Sequence, residues 1–98
     1  MFLAKVIGNV VATQKNAGFA GMKLLLVQPH ITRDGALVAS GSAIVAVDAV
    51  GAGEGELVMF TQGSSARLTD LTKGAPVDAV ICGIVDTVEL GGQRLAKP

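Results

Sequence analysis

Val77-Asp78-Ala79-Val80-Ile81-Cys82-Gly83-Ile84-Val85-Asp86-Thr87-Val88 is the stretch that decides the fold class. Side chains of an extended chain alternate between faces. One face therefore carries Val77, Ala79, Ile81, Gly83, Val85 and Thr87, the other Asp78, Val80, Cys82, Ile84, Asp86 and Val88. Both faces are apolar at the middle. A strand of a small closed sheet needs only one face inside, so the second must lie under a helix, under a loop or against a neighbouring subunit. The segment Lys23 to Gln28 reads the same way, with Leu25 and Val27 alternating with Leu24 and Leu26.

Working outward, β-branched and aliphatic residues fall in short runs separated by glycine-rich punctuation, the pattern of a small all-β domain. Strands are expected near Phe2 to Thr13, Met22 to Gln28, Ala43 to Val50, Leu57 to Thr61, Val77 to Glu89 and Gln93 to Ala96. One short helix is expected around Ser65 to Leu71. Ser64 or Ser65 would cap it, and Gly74 would give a left-handed exit. Gly91-Gly92 can take positive φ at both centres of a two-residue turn, which predicts a hairpin over Val88 to Leu95. Strands with one helix suit a small β-barrel, because closure removes exposed edges. No linker, repeat or low-complexity tract divides residues 1–98, so a single domain is expected.

A 98-residue chain buries only roughly 60 to 65% of the surface its unfolded form exposes. Yet 50% of the residues are hydrophobic and the mean hydropathy is +0.55. That surplus predicts strand faces packed against other copies of the chain. Eight basic and eight acidic residues cancel, so no global field draws the protein to nucleic acid or to an anionic membrane. One cysteine cannot form an internal disulfide, which fits a reducing compartment. The start of the chain lacks the pattern of a signal peptide. The longest bulky apolar run, Leu24 to Val27, is too short to span a bilayer. A cytoplasmic location is the expectation.

The search for chemistry returns no catalytic residue, no cofactor site and no metal site. His30, the one histidine, follows Pro29 in an expected loop and has no partner set for base catalysis. Cys82 is expected to be a buried, inert thiol. Gly51, Gly53 and Gly55 alternate, but no Gly-Lys-Ser/Thr follows, and Glu54 and Glu56 would repel phosphate. The loop therefore reads as a tight turn requiring positive φ and close backbone approach. Gly63-Ser64-Ser65-Ala66-Arg67 lacks the Gly-x-Ser-x-Gly of a nucleophile elbow. Anion binding by Ser64 and Ser65 beside Arg67 is the weaker reading, against helix capping plus a subunit contact made by Arg67.

Four blocks in order carry a family resemblance. They are Leu3-Ala4-Lys5-Val6-Ile7-Gly8 with Val11-Ala12-Thr13-Gln14-Lys15, and Gly21-Met22-Lys23-Leu24-Leu25-Leu26-Val27-Gln28. The later two are Ala46-Val47-Asp48-Ala49-Val50-Gly51-Ala52-Gly53-Glu54-Gly55-Glu56 with Gly63-Ser64-Ser65-Ala66-Arg67, and Pro76-Val77-Asp78-Ala79 with Gly83-Ile84-Val85-Asp86-Thr87-Val88. Together they resemble the bacterial microcompartment vertex proteins, which include carboxysome and ethanolamine-utilisation representatives. The resemblance implies an OB-like β-barrel assembling as a ring of five that closes the five-fold vertices of a polyhedral shell built mainly from hexameric tiles. Its partners would be copies of itself and hexameric shell proteins, and it would be no enzyme.

By position in these motifs, Gly51, Gly53, Glu54, Gly55, Ser64, Ser65 and Arg67 are candidates for subunit contacts or for the lining of the central axis. Gly53→Val is expected to strain its loop and impair ring assembly. The alternative is an OB-like module binding a ligand or single-stranded nucleic acid. Against it stand three phenylalanines, no tyrosine, no tryptophan and no net charge, where such sites use aromatic stacking platforms and a basic groove.

Overall fold

The computed structural model describes residues 1–12, 21–63, 66 and 78–96. Eight strands follow in order: β1 (Phe2–Val10), β2 (Lys23–Arg33), β3 (Ala36–Ala39), β4 (Ile44–Asp48), β5 (Leu57–Gln62), β6 (Ala79–Ile84), β7 (Val88–Leu90) and β8 (Gln93–Ala96). There is no α-helix among the described residues. The helix expected over Ser65 to Leu71, with its caps Ser64 or Ser65 and its exit Gly74, lies outside them apart from Ala66.

The main sheet runs β1-β5-β6-β4-β2-β3, and β2 also pairs with β1, which closes the first five of these strands into a barrel. Numbering only the barrel strands in chain order gives the circuit 1-2-3-5-4-1. β4 and β6 run parallel, and the other pairings are antiparallel. This is the five-stranded Greek-key barrel of the OB type. β7 and β8 form a separate two-stranded sheet.

The barrel interior holds Ala4, Val6, Leu25, Val27, Ala46, Ala52, Val58, Phe60, Ala79 and Ile81. Leu25 and Val27 on β2, and Ala79 and Ile81 on β6, sit on the faces that the alternation assigns to one side. The opposite face is covered only in part. Val47 and Val80 pack with Ala66, flanked by Met22 and Leu24, so Ala66 shields one patch of the outer wall.

Three strand expectations are corrected. β2 does not stop at Gln28 but runs through Pro29 and His30 to Arg33, so His30 lies in a strand rather than a loop. Pro29 stands where β2 changes partner, pairing with β4 over Lys23–Val27 and with β3 over His30–Arg33. A residue without an N–H is tolerated there because no ladder bond is demanded of it. The Pro29 carbonyl still accepts from the Ser40 N–H at 2.9 Å.

β3 is a strand beyond those expected, joined to β2 through Asp34-Gly35; both residues take positive φ, 52° and 75°, as a type I′ turn requires. The long strand expected over Val77 to Glu89 is in fact two, β6 and β7, broken at Val85–Thr87. The hairpin at Gly91-Gly92 forms as expected, with φ of 60° and 81°.

Candidate subunit-contact site

The loop between β4 and β5 is held at both ends by carboxylates. Asp48, buried at the end of β4, accepts with one oxygen from the N–H groups of Val50 (3.1 Å), Gly51 (3.1 Å) and Ala52 (3.2 Å). This is the local side-chain-to-backbone turn that Asp makes readily. Glu56 Oε1 accepts from the Gly53 N–H at 2.6 Å, and the Glu56 N–H donates to the Gly53 carbonyl at 3.1 Å. Between them Ala52 is inserted into the barrel core, and its carbonyl accepts from Lys23 Nζ at 3.4 Å.

The close backbone approach expected of this loop is made to the chain's own first strand. Val6 N–H donates to the Glu56 carbonyl at 2.9 Å, and Gly55 N–H donates to the Val6 carbonyl at 2.8 Å. β1 carries a register shift between Val6 and Gly8 at this point, leaving Ile7 as the extra residue of a bulge. Gly51, Glu54 and Gly55 remain exposed and Gly53 is half-buried. The result is a tethered ridge with few side chains.

Its glycines are not equivalent. Gly51 and Gly55 take φ of 79° and 89°, where an L side chain is strained. Gly53 does not, and a Cβ there would meet only Glu56 Oε1, at 3.4 Å. The positive φ expected of this loop therefore falls on Gly51 and Gly55 and not on Gly53. Ser64, Ser65 and Arg67 lie outside the described residues.

The remaining sequence candidates fall away from this ridge. His30 is half-buried, with Nδ1 2.8 Å from the Gln28 carbonyl, so that nitrogen carries the proton and donates. Cys82 is half-buried rather than buried, because it lies on the outward face of β6 while Ala79 and Ile81 on the other face fill the core. Its Sγ contacts the Met59 carbonyl at 3.7 Å. A groove of about 280 Å³ lies between the ends of β1 and β2, lined by Asn9, Val10, Val11, Ala12, Met22, Lys23 and Leu24. With Lys23 turned to Ala52, it offers little to orient a ligand.

The sequence reading missed an apolar row on the outer wall, because only register reveals it. Gly8 on β1 stands opposite Leu26 on β2, and Leu26 opposite Val45 on β4. Ile7 is 42% exposed and Val45 46% exposed, with Leu26 half-buried between them.

The family model described as "Ethanolamine utilisation protein EutN/carboxysome" matches residues 1–86. The chain is 49% identical over 89 residues to the bacterial microcompartment shell vertex protein GrpN of Rhodospirillum rubrum, covering 91% of this chain and 97% of that protein. It is 44% identical over 96 residues to the shell vertex protein EutN of Escherichia coli K12, covering 95% of each.

Among solved structures, Gloeobacter violaceus CcmL superposes with a TM-score of 0.88 at 40% identity, covering 99% of this chain and 97% of that one. The GrpN pentameric microcompartment shell protein of R. rubrum superposes with a TM-score of 0.79 over 92% of this chain and 99% of that one. With the closed OB-type barrel and a family match running from the first strand through β6, the chain belongs to the EutN/carboxysome family of bacterial microcompartment vertex proteins.

Proposed function

We propose that five copies of this chain close head to tail into a ring, and that the ring caps the five-fold vertices of a polyhedral microcompartment shell in the cytoplasm. Hexameric tiles alone make a flat sheet, so closure of the shell needs a pentamer at each vertex. The role is structural rather than catalytic. The neighbours of the ring are hexameric shell proteins.

The observation that carries the reading is exposed apolar surface. Phe2, Ile7, Val45, Ile84 and Leu90 are each 40–51% exposed, apolar surface that neighbouring copies would cover. The reading is supported by the pentameric state of the 49% identical R. rubrum shell protein. The nucleic-acid reading has no comparable support, since the exposed wall is aliphatic and the relatives are shell proteins.

Within the ring, the ridge of Gly51, Gly53, Glu54 and Gly55, together with Ser64, Ser65 and Arg67, supplies subunit contacts or faces the axis. Native mass spectrometry tests the assembly: a species of five times 9.9 kDa is expected, and a stable monomer at tens of micromolar overturns the ring. Co-assembly with a hexameric shell protein tests the vertex role. Closed polyhedra are expected only when this chain is present, and closure without it refutes the role.

A further inference from the structure

We infer that the Asp34-Gly35 bond at the tip of the β2–β3 hairpin is a modification site, where the chain isomerises spontaneously from the ordinary α-linkage of Asp34 to a β-linkage through its side chain. The reacting groups are the Asp34 carboxyl and the Gly35 amide nitrogen. Both residues are exposed, and no atom lies within 4 Å of a Cβ built on Gly35. Among the described residues neither the Asp34 carboxylate nor the Gly35 N–H has a hydrogen-bond or ion-pair partner. Glycine, without a Cβ, also leaves its own nitrogen open to approach.

The backbone favours departure from the α-linked turn. Asp34, at φ 52°, is the one non-glycine residue with positive φ among the described residues, a conformation disfavoured for an L side chain. The turn closes a ladder of only four pairs, from Arg33↔Ala36 to His30↔Ala39, on the last strand of the sheet. The nitrogen reaches the Asp34 Cγ only when the turn opens, and an exposed ladder end of this kind opens at a free energy near zero.

The other described aspartates lack this combination. Asp48 is buried, and one of its carboxylate oxygens is held by three N–H groups. Asp78 and Asp86 are exposed, but they precede Ala79 and Thr87, whose side chains crowd the nitrogen that would attack.

In the reaction the Gly35 nitrogen bonds to the Asp34 Cγ, and one carboxyl oxygen leaves as water, carrying the amide proton and the carboxyl proton. The product is a cyclic imide. Water then adds to the Asp34 main-chain carbonyl carbon and breaks its bond to nitrogen, leaving a free α-carboxylate and a chain that runs through Cγ. One water leaves and one enters, so the mass is unchanged and no oxidant or reductant is needed. The extra main-chain carbon no longer fits a two-residue turn, so the Arg33↔Ala36 closure is lost. The far end of β3 stays tied, by the Ser40 N–H to the Pro29 carbonyl at 2.9 Å and Gln28 Nε2 to the Gly41 carbonyl at 3.0 Å, which confines the damage to the hairpin.

The test ages the full chain in warm neutral buffer, folded and in concentrated urea. Samples are digested with a protease that cuts before Asp but not before its β-linked isomer, and an isoaspartyl methyltransferase counts the new α-carboxylates. Cleavage before Asp34 is expected to fade at constant mass, with several-fold more methyl acceptor there than at Asp48, Asp78 and Asp86 together. The folded chain is expected to convert no more than about 10-fold slower than the chain in urea, as a freely opening turn requires. Greater protection, or conversion at Asp34 no faster than at Asp78, overturns the inference.

Gly35→Asn tolerates positive φ but adds a side chain beside the nitrogen, and should slow conversion several-fold; an unchanged rate also overturns the inference. In aged chains the amides of β3 should exchange faster while those of β1 and β4 do not, and unaltered exchange at β3 refutes the predicted loss of the hairpin.

Discussion

Asp48→Ala should be among the most damaging single-atom-group changes outside the hydrophobic core. One carboxylate oxygen accepts from Val50, Gly51 and Ala52 at 3.1 to 3.2 Å. A hydrogen bond to a charged group contributes about 1.5–3 kcal/mol net, but three donors crowding one oxygen do not add independently. Val50 and Gly51 are exposed, so water replaces the lost acceptor for them. Ala52 is 1% exposed, and its N–H is left without that acceptor inside the loop, a cost of about 1–3 kcal/mol. Removing the carboxylate returns part of this, because Asp48 is itself only 7% exposed and no longer has to be desolvated.

The net expectation is a loss of about 1–3 kcal/mol. For a chain of this length each kcal/mol shifts Tm by about 4–8 °C, so Tm should fall by roughly 5–20 °C. Urea denaturation at fixed protein concentration is the assay, since ring formation makes apparent stability depend on concentration. Asp48→Asn keeps an acceptor oxygen without its charge and should lose about half as much. Hydrogen exchange should quicken at Ala52 and its neighbours while the amides of β1 and β2 stay protected. A loss below about 1 kcal/mol for Asp48→Ala, or exchange that quickens evenly over the barrel, would refute the loop as a side-chain-anchored unit.

Gly55→Ala should cost about 1–2 kcal/mol, since the residue sits at φ 89° where an L side chain is penalised; Gly53→Ala should cost less than half of that, and equal losses in parallel urea melts would contradict the assignment. Phe60→Ala should lose about 3–5 kcal/mol, because the ring is 2% exposed within the barrel and packs against Phe2 with ring centres 5.4 Å apart. A Tm within a few degrees of the parent would show that the core is not organised around it. Cys82→Ser should change stability by no more than about 1 kcal/mol, as the thiol is half-buried and makes one long contact to the Met59 carbonyl; a larger loss in the same melt would mean that the outer wall at β6 is closed over.

The barrel was legible in the sequence because its cause is local. Alternation in Val77–Val88 and in Lys23–Gln28 assigns two apolar faces whatever the partners are, and Ala79, Ile81, Leu25 and Val27 duly fill the core. The two glycines of the last hairpin were equally readable, since φ preference belongs to the residue itself. Asp34-Gly35 carries the same kind of signal, which Pro29 obscures because a proline removes a ladder donor from the strand leading to it. The apolar surplus of the whole chain pointed to assembly without locating it.

What the tertiary structure alone decided is set by pairing across long separations. The sequence does not show that Gly55 and Glu56 lie against Val6, so the loop's close approach could not be recognised as a contact within the chain. Nor can it place Ile7, Leu26 and Val45 in one row, because register and the bulge at Ile7 bring three distant strands into line. Residue type fixes which conformations and which face are favourable at each position. Which neighbour that face meets depends on the closure of the whole sheet, a property no segment holds by itself.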